Sequence, residues 1–295
     1  MSVRFTAQLR AEGLGAPEIR RLVRDQKLIQ LRRGAYSAVL LNGVERHLQL
    51  IAATLPMLVG GAVVSHYSAA VLHELPVRTN MLDRVTFTRP DGGGGCVHPH
   101  LHRYRTPLAD GDVEAADGIT RTTLARTVID LARCGELPMA VAAADRALRV
   151  GLARESLDAQ LNAAKRRRGV ARARTAVTLA DGRSESAGES CSRVAIWQLG
   201  LPMPQLQVEV RTGWTLYRGD FGWLEQQVLG EFDGKVKYGE LLAAGETAAD
   251  AVMREKRREA DLRAAGWGIV RWTWSDLANP DRLRYLITSE LNRRR

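Results

Sequence analysis

Several protein classes are excluded by what the sequence lacks. Its three cysteines, Cys96, Cys134 and Cys191, stand far apart with no C-x-x-C pair. That spacing excludes a disulfide framework and a cysteine-built zinc site, and the thiols read as buried or inert. No apolar run is long enough to cross a bilayer, which argues against a membrane span. The opening MSVRFTAQLRAEG lacks the apolar stretch of a signal peptide, and a cytoplasmic location is expected. Aromatic residues are sparse and segregated. All six tryptophans lie from Trp197 onward, whereas all six histidines lie between His47 and His102. Separately built units follow from that segregation.

What is present is length, core material and positive charge. A chain of 295 residues, 45% hydrophobic, has the material for two or three domains. The division expected is residues 1–46, 47–180 and 181–295. The net charge of +10 lies almost wholly before Gly182. It concentrates in residues 1–46 and in the run Lys165-Arg166-Arg167-Arg168, with Arg172 and Arg174 close behind. Such patches attract polyanions, of which nucleic acid is the commonest; the plainer reading is a solvated arginine-rich surface.

At the N-terminus, Phe5 to Glu12 reads as a short helix broken by GLGA. Pro17 then opens a helix with Ile19, Leu22 and Val23 on one face and Arg20, Arg21 and Arg24 on the other. LIQLRRGAYSAV follows as two short strands joined by a turn containing Arg32, Arg33 and Gly34. Helix, helix and basic hairpin is the order of a winged helix-turn-helix. In that arrangement the second helix enters the major groove of double-stranded DNA and the wing touches phosphate or minor groove. A helix–hairpin unit used for protein contact is the alternative. The stretches TAQLRAEGL, IRRLVRDQKL, LRRGAYS, VSHYSAAVLHELP and GITRTTLARTVIDLAR, in that order over roughly residues 1–180, resemble the AbiEi family. Its members are antitoxins and autorepressors of type IV toxin–antitoxin systems. The resemblance implies DNA binding, and antitoxin action would require a cognate toxin.

The middle region reads as mixed α+β. Helices are expected over residues 44–58, after Ser65, near Leu137–Val150 and over Arg154–Ala164, with strands at Arg84–Thr88 and Val97–Tyr104. His98, His100 and His102 alternate along the second strand, an arrangement that suits either a metal or solvent and phosphate. The Lys165–Arg174 run reads as one basic helix, either a second DNA contact or a solvated linker.

The C-terminal region reads as helix, three antiparallel strands, helix, strand and helix, an α/β order with a mixed sheet. Glu231 and Asp233 are two apart on one strand and leave the same face. Asp220 lies on the neighbouring strand and Glu189 on the preceding helix. Acids converging in this way repel one another unless they hold a hard divalent cation such as Mg2+. Glu189, Asp220 in RGDFGW, GEFDGKVKYG and EKRREADLRAAGWGIVRWTWSDL resemble the PD-(D/E)xK nuclease superfamily. The likeness is greatest to its very-short-patch-repair-endonuclease-like branch, over about residues 183–295. The resemblance implies a restriction-endonuclease-like fold with Asp220 and Glu231 as metal-binding acids and Glu189 as the helix acid; Asp233 is expected to join the first two at the Mg2+. Asp233 stands where that superfamily has lysine, so the lysine role passes to Lys235, Lys237 or Lys256. The function expected is a DNA-binding protein with a Mg2+-dependent, nuclease-like domain. The alternative is a non-enzymatic autorepressor or antitoxin.

Overall fold

The first apolar stripes of the sequence close a small core around Leu9, Ile19 and Leu28, joined by Leu14, Leu22, Val23 and Tyr36. The elements are β1 (Arg4–Phe5), α1 (Thr6–Ala11), α2 (Ala16–Arg24), β2 (Ile29–Arg32) and β3 (Ala35–Ser37). Pro17 sits in the first turn of α2, where a missing N–H costs nothing. The Gly15 amide donates to Glu18 Oε2 at 2.5 Å, closing the helix start. Gly34, at φ +81, makes the β2–β3 turn, a conformation glycine adopts without a Cβ clash. The expected first helix begins one residue later than Phe5, because Arg4 and Phe5 pair with Tyr36 and Ala35, giving the sheet order β1-β3-β2. The free edge of β3 offers backbone groups that the N-terminal residues satisfy.

The structure, a computed structural model, describes residues 3–58, 60–90, 94–234 and 247–293 of an α/β protein. It divides into two compact units, Met1–Gly135 with Leu152–Arg174, and Glu136–Gly151 with Thr175–Arg295. The first unit continues with α3 (Gly43–Thr54), β4 (Val63–Val64), α4 (His66–Leu72), β5 (Val85–Thr88), β6 (Cys96–His98), β7 (Leu101–Tyr104), β8 (Val113–Ala116), β9 (Ile119–Thr122) and α5 (Leu124–Cys134). Its second sheet is mixed, in the order β6-β7-β5-β4-β9-β8. Leu50 and Ile51 of α3 pack on Val85.

Two expectations for this unit are corrected. His98, His100 and His102 do not share a strand face. The chain folds back between β6 and β7, pairing His98 with Leu101 and Val97 with His102 and leaving His100 in the turn. The basic run is not one helix either. α6 (Leu137–Arg149), which packs in the second unit, and α7 (Arg154–Ala163) are followed by a turn over residues 164–169, and α8 spans Val170–Leu179. Gly169 breaks the helix at φ +82; a Cβ there would lie 2.9 Å from the Arg133 carbonyl carbon.

The second unit holds α9 (Ala187–Gln198), β10 (Gln205–Thr212), β11 (Thr215–Trp223), β12 (Val228–Asp233), α10 (Ala248–Ala264), β13 (Gly268–Thr273), α11 (Trp274–Leu277) and α12 (Pro280–Arg293). Its sheet runs β10-β11-β12-β13, antiparallel except for the parallel β12–β13 pair. One face carries Phe221, Trp223, Val228, Val270 and Trp272 against Ile196 of α9 and Leu283, Ile287 and Leu291 of α12. The other carries Val208, Val210 and Leu229 against Leu262 of α10. Side chains of this size contribute about 1.5–3 kcal/mol each on full burial. α6 packs on α9 through small residues, with Ala140, Ala143, Ala144 and Ala147 all buried. Asp145 fixes the contact, accepting bonds from Ser190 Oγ at 2.7 Å, Arg193 Nη2 at 2.5 Å and the Asp181 amide at 2.7 Å.

Candidate carboxylate site and basic surfaces

The start of α9 positions the first acid. Ser186 caps the helix by accepting the Glu189 amide at 3.1 Å. The Glu189 carboxylate, 6% exposed, accepts from the Glu185 amide at 2.8 Å and from Gln207 Nε2 at 2.9 Å through one oxygen. Gly188 lets the helix backbone meet the Phe232 ring: a Cβ would lie 2.6 Å from Cζ and nearer still to Cδ1 and Cε1. A residue without a side chain therefore brings Glu189 close to β12.

The sheet is irregular where the acids meet. Gln207 adopts φ +53 within β10. Around it the strand changes face, with Leu206 in one core and Val208 in the other. Opposite it β11 changes face too: Tyr217 packs in one core and Phe221 in the other. The β11–β12 pairing reaches only to Phe221 and Gly230. Beyond that point the Asp220 carboxylate takes the ladder's place, accepting the Phe232 amide at 2.9 Å. Burial pushes Asp220 up to about 6, and the nearby charges of Glu189, Glu231 and Glu185 act in the same direction against the Phe232 hydrogen bond. Gln207 Oε1 is buried without a hydrogen-bond partner among the described residues.

Glu231 has the opposite surroundings. It is paired with Arg258 of α10, and Arg271, its register neighbour on β13, donates from Nε at 2.7 Å. Burial opposes its ionisation, but these two guanidiniums prevail and hold its pKa below the ordinary value. Glu255 and Glu259 complete the network by pairing with Arg271, and Glu255 also with Arg258. Asp233 ends β12; burial raises its pKa against the pull of Arg271. Lys256 is exposed on α10, while Lys235 and Lys237 lie outside the described residues. The structure thus brings Glu189, Asp220 and Glu231 within electrostatic reach of one another and leaves Lys256 facing solvent.

Among the described residues no three His, Cys, Asp or Glu side chains stand close enough to ligate one metal ion. Glu189 accepts from Gln207 Nε2 and lies within electrostatic reach of Asp220, and the unpartnered Gln207 Oε1 is an acceptor that a cation or its water would satisfy. Mg2+ uses one or two carboxylates with waters and substrate oxygens rather than a full protein cage, so this donor set fits it.

The sequence reading missed Gln207, Arg258 and Arg271. Arg271 does leave a signal, a charged residue inside the apolar run GIVRWTW. Gln207 leaves none, because its role comes from a backbone irregularity.

On the basic surfaces, Arg20, Arg21, Arg24 and Arg33 are exposed. Arg32 is not a free contact residue: it is half-buried, its Nη1 donates to Thr54 Oγ1 at 3.1 Å and its Nε is buried. Lys165, Arg166 and Arg168 are exposed, whereas Arg167 turns inward to the Pro107 carbonyl at 3.4 Å.

No protein-family model matches the chain. Two Mycobacterium tuberculosis proteins do: uncharacterized protein MT2308 of strain CDC 1551 / Oshkosh and uncharacterized protein Rv2248 of strain ATCC 25618 / H37Rv. Each is 31% identical over 251 residues, covering 82% of this chain and 86% of the relative. Identity of that extent across both units places the chain in the family of these mycobacterial proteins.

Proposed function

We propose that this is a DNA-binding protein whose second unit is a Mg2+-dependent, nuclease-like domain acting on phosphodiesters. The reading rests on one observation above all: burial, and after it the nearby charges of Glu189, Glu231 and Glu185, oppose the ionisation of Asp220. Acids perturbed by burial and like charges concentrate at functional sites, and a bound cation would offset both effects. Asp220 and Glu189 would hold the ion, with Gln207 Oε1 as a neutral donor. Bound Mg2+ supplies Lewis-acid polarisation of the scissile phosphate and a more acidic water. Glu189 is oriented for this by its bonds to Gln207 and the Glu185 amide. The first unit would engage duplex as a winged helix, through the exposed Arg20, Arg21, Arg24 and Arg33.

A second reading has its own observation. The pairing of Glu231 with Arg258 and Arg271 neutralises one of the acids that a nuclease needs. That favours a non-enzymatic autorepressor or antitoxin using the same domain as a platform for DNA or a toxin. A cleavage assay with Mg2+ on supercoiled and linear DNA decides between them. Cutting by the wild type and not by Asp220→Ala supports the nuclease; binding without cutting supports the platform. In either case, changing Arg20, Arg21 and Arg24 to Gln is expected to weaken duplex binding. The log–log salt dependence should flatten by about 0.9 for each phosphate no longer neutralised.

A further inference from the structure

Away from the carboxylates, the first unit contains a cavity of about 840 Å3. Arg105, Arg133, Arg167, Arg168 and Arg172 line it, with Asp130 as the acid in the lining. Asp130 is already engaged, accepting Arg126 Nε at 2.7 Å and Arg133 Nη1 at 2.9 Å. Arg167 and Arg172 donate to the carbonyls of Pro107, Ala132 and Arg133, which orient them without neutralising them. Burial lowers the pKa of Arg167, and the charges of Arg126 and Arg133 act in the same sense.

The wall is built rather than incidental. The close approach of Gly169 to the Arg133 carbonyl fixes the basic turn against the end of α5. His66 also lines the space, 4% exposed and stacked on Tyr104 at 3.5 Å. It adopts φ +50, a left-handed conformation uncommon outside glycine and found disproportionately at functional positions.

We propose that this cavity binds a phosphomonoester, the terminal phosphate of a nucleotide-sized ligand, through the guanidiniums of Arg105, Arg168 and Arg172. Guanidinium forks match phosphate oxygens in pairs. The volume falls in the range of about 300–1,000 Å3 typical of small-molecule sites. Arg167 and Arg168 thus turn to a pocket where the sequence suggested a duplex contact. Two sources could supply the phosphate, a free nucleotide or the 5′ end of a nucleic-acid strand.

Titration calorimetry on the full chain tests this, with inorganic phosphate, adenosine 5′-monophosphate, and a single-stranded oligonucleotide with and without a 5′-phosphate. Arg105→Gln and Arg168→Gln are the variants, both at exposed positions, and circular dichroism checks their fold. The expected result is saturable binding of adenosine 5′-monophosphate at one site per chain, weakened about tenfold by each substitution. Binding of only the 5′-phosphorylated strand would keep the phosphomonoester site and identify the strand end as its source. The proposal is overturned if no probe binds, if the unphosphorylated strand binds equally well, or if both Arg105→Gln and Arg168→Gln bind like the wild type.

Discussion

Asp220→Asn is expected to make the protein more stable at neutral pH. The fold raises the Asp220 pKa from 3.8 to about 6, first by burial and then through Glu189, Glu231 and Glu185. Each unit is worth about 1.4 kcal/mol, so ionised Asp220 costs the native state up to about 3 kcal/mol. Partial solvent contact brings that to about 1–2 kcal/mol. Because the folded pKa is the higher one, this group's contribution is fully present below the unfolded pKa and is lost as pH rises through about 6. Asparagine keeps an oxygen for the Phe232 amide and removes the charge. Urea unfolding followed by tryptophan fluorescence reports on the second unit, since every tryptophan lies there. The variant should unfold at higher urea at neutral pH, and the gap should close in the acid range where both side chains are neutral. Mg2+ should raise the wild-type midpoint and leave the variant's unmoved. A variant less stable than wild type at neutral pH, or equally stabilised by Mg2+, would refute the reasoning.

Substitutions at Gly188, Phe232 and His66 probe how the fold holds its special residues. Gly188→Ala forces a Cβ into the Phe232 ring and should cost about 2 kcal/mol. Phe232→Leu should recover part of that loss, and a thermal-melt double-mutant cycle that came out additive would deny the contact. His66 has a folded pKa of about 4 against 6.5, lowered by burial and by Arg126, Arg133 and His102 against Asp130. The unfolded chain therefore binds the proton first, and stability should fall by up to about 3 kcal/mol as pH drops from 6.5 through 4. His66→Asn tolerates the left-handed backbone and should flatten that slope in urea titrations followed by circular dichroism.

The elements that could be read from sequence are those set by local pattern. Pro17 with the Ile19, Leu22 and Val23 stripe marks α2, and Gly34 between short apolar runs marks the hairpin. The order of elements in the second unit follows from the short apolar stretches within QLQVEV, VLGEFD and GIVRWT. The misreadings come from tertiary contacts. β1 forms because β3 has an edge to fill, and the basic run breaks because Gly169 docks on Arg133. The carboxylates were visible as types and spacings, but their different surroundings were not. Whether an acid meets an arginine or another acid depends on Arg271 lying beside Glu231 across the parallel β12–β13 pair, a long-range register that no local pattern specifies.

That register gives the site two electrostatic halves with opposite consequences. Asp220 is opposed by its neighbours, whereas Glu231 is satisfied by Arg258 and Arg271. The Glu231 pKa is lowered, so its contribution to stability is present at neutral pH and is lost on acidification. Glu231→Gln should therefore destabilise where Asp220→Asn stabilises, by about 2 kcal/mol, since Glu255 still meets both guanidiniums. The same clamp bears on chemistry, because a carboxylate gripped by two arginines ligates a cation only by giving up one of them. If Glu231 is a latent ligand, Arg258→Gln should tighten Mg2+ binding in calorimetry while lowering the urea midpoint. If Mg2+ affinity is unchanged when the clamp is opened, Glu231 is a structural acid, and the cation chemistry rests on Asp220, Glu189 and Gln207.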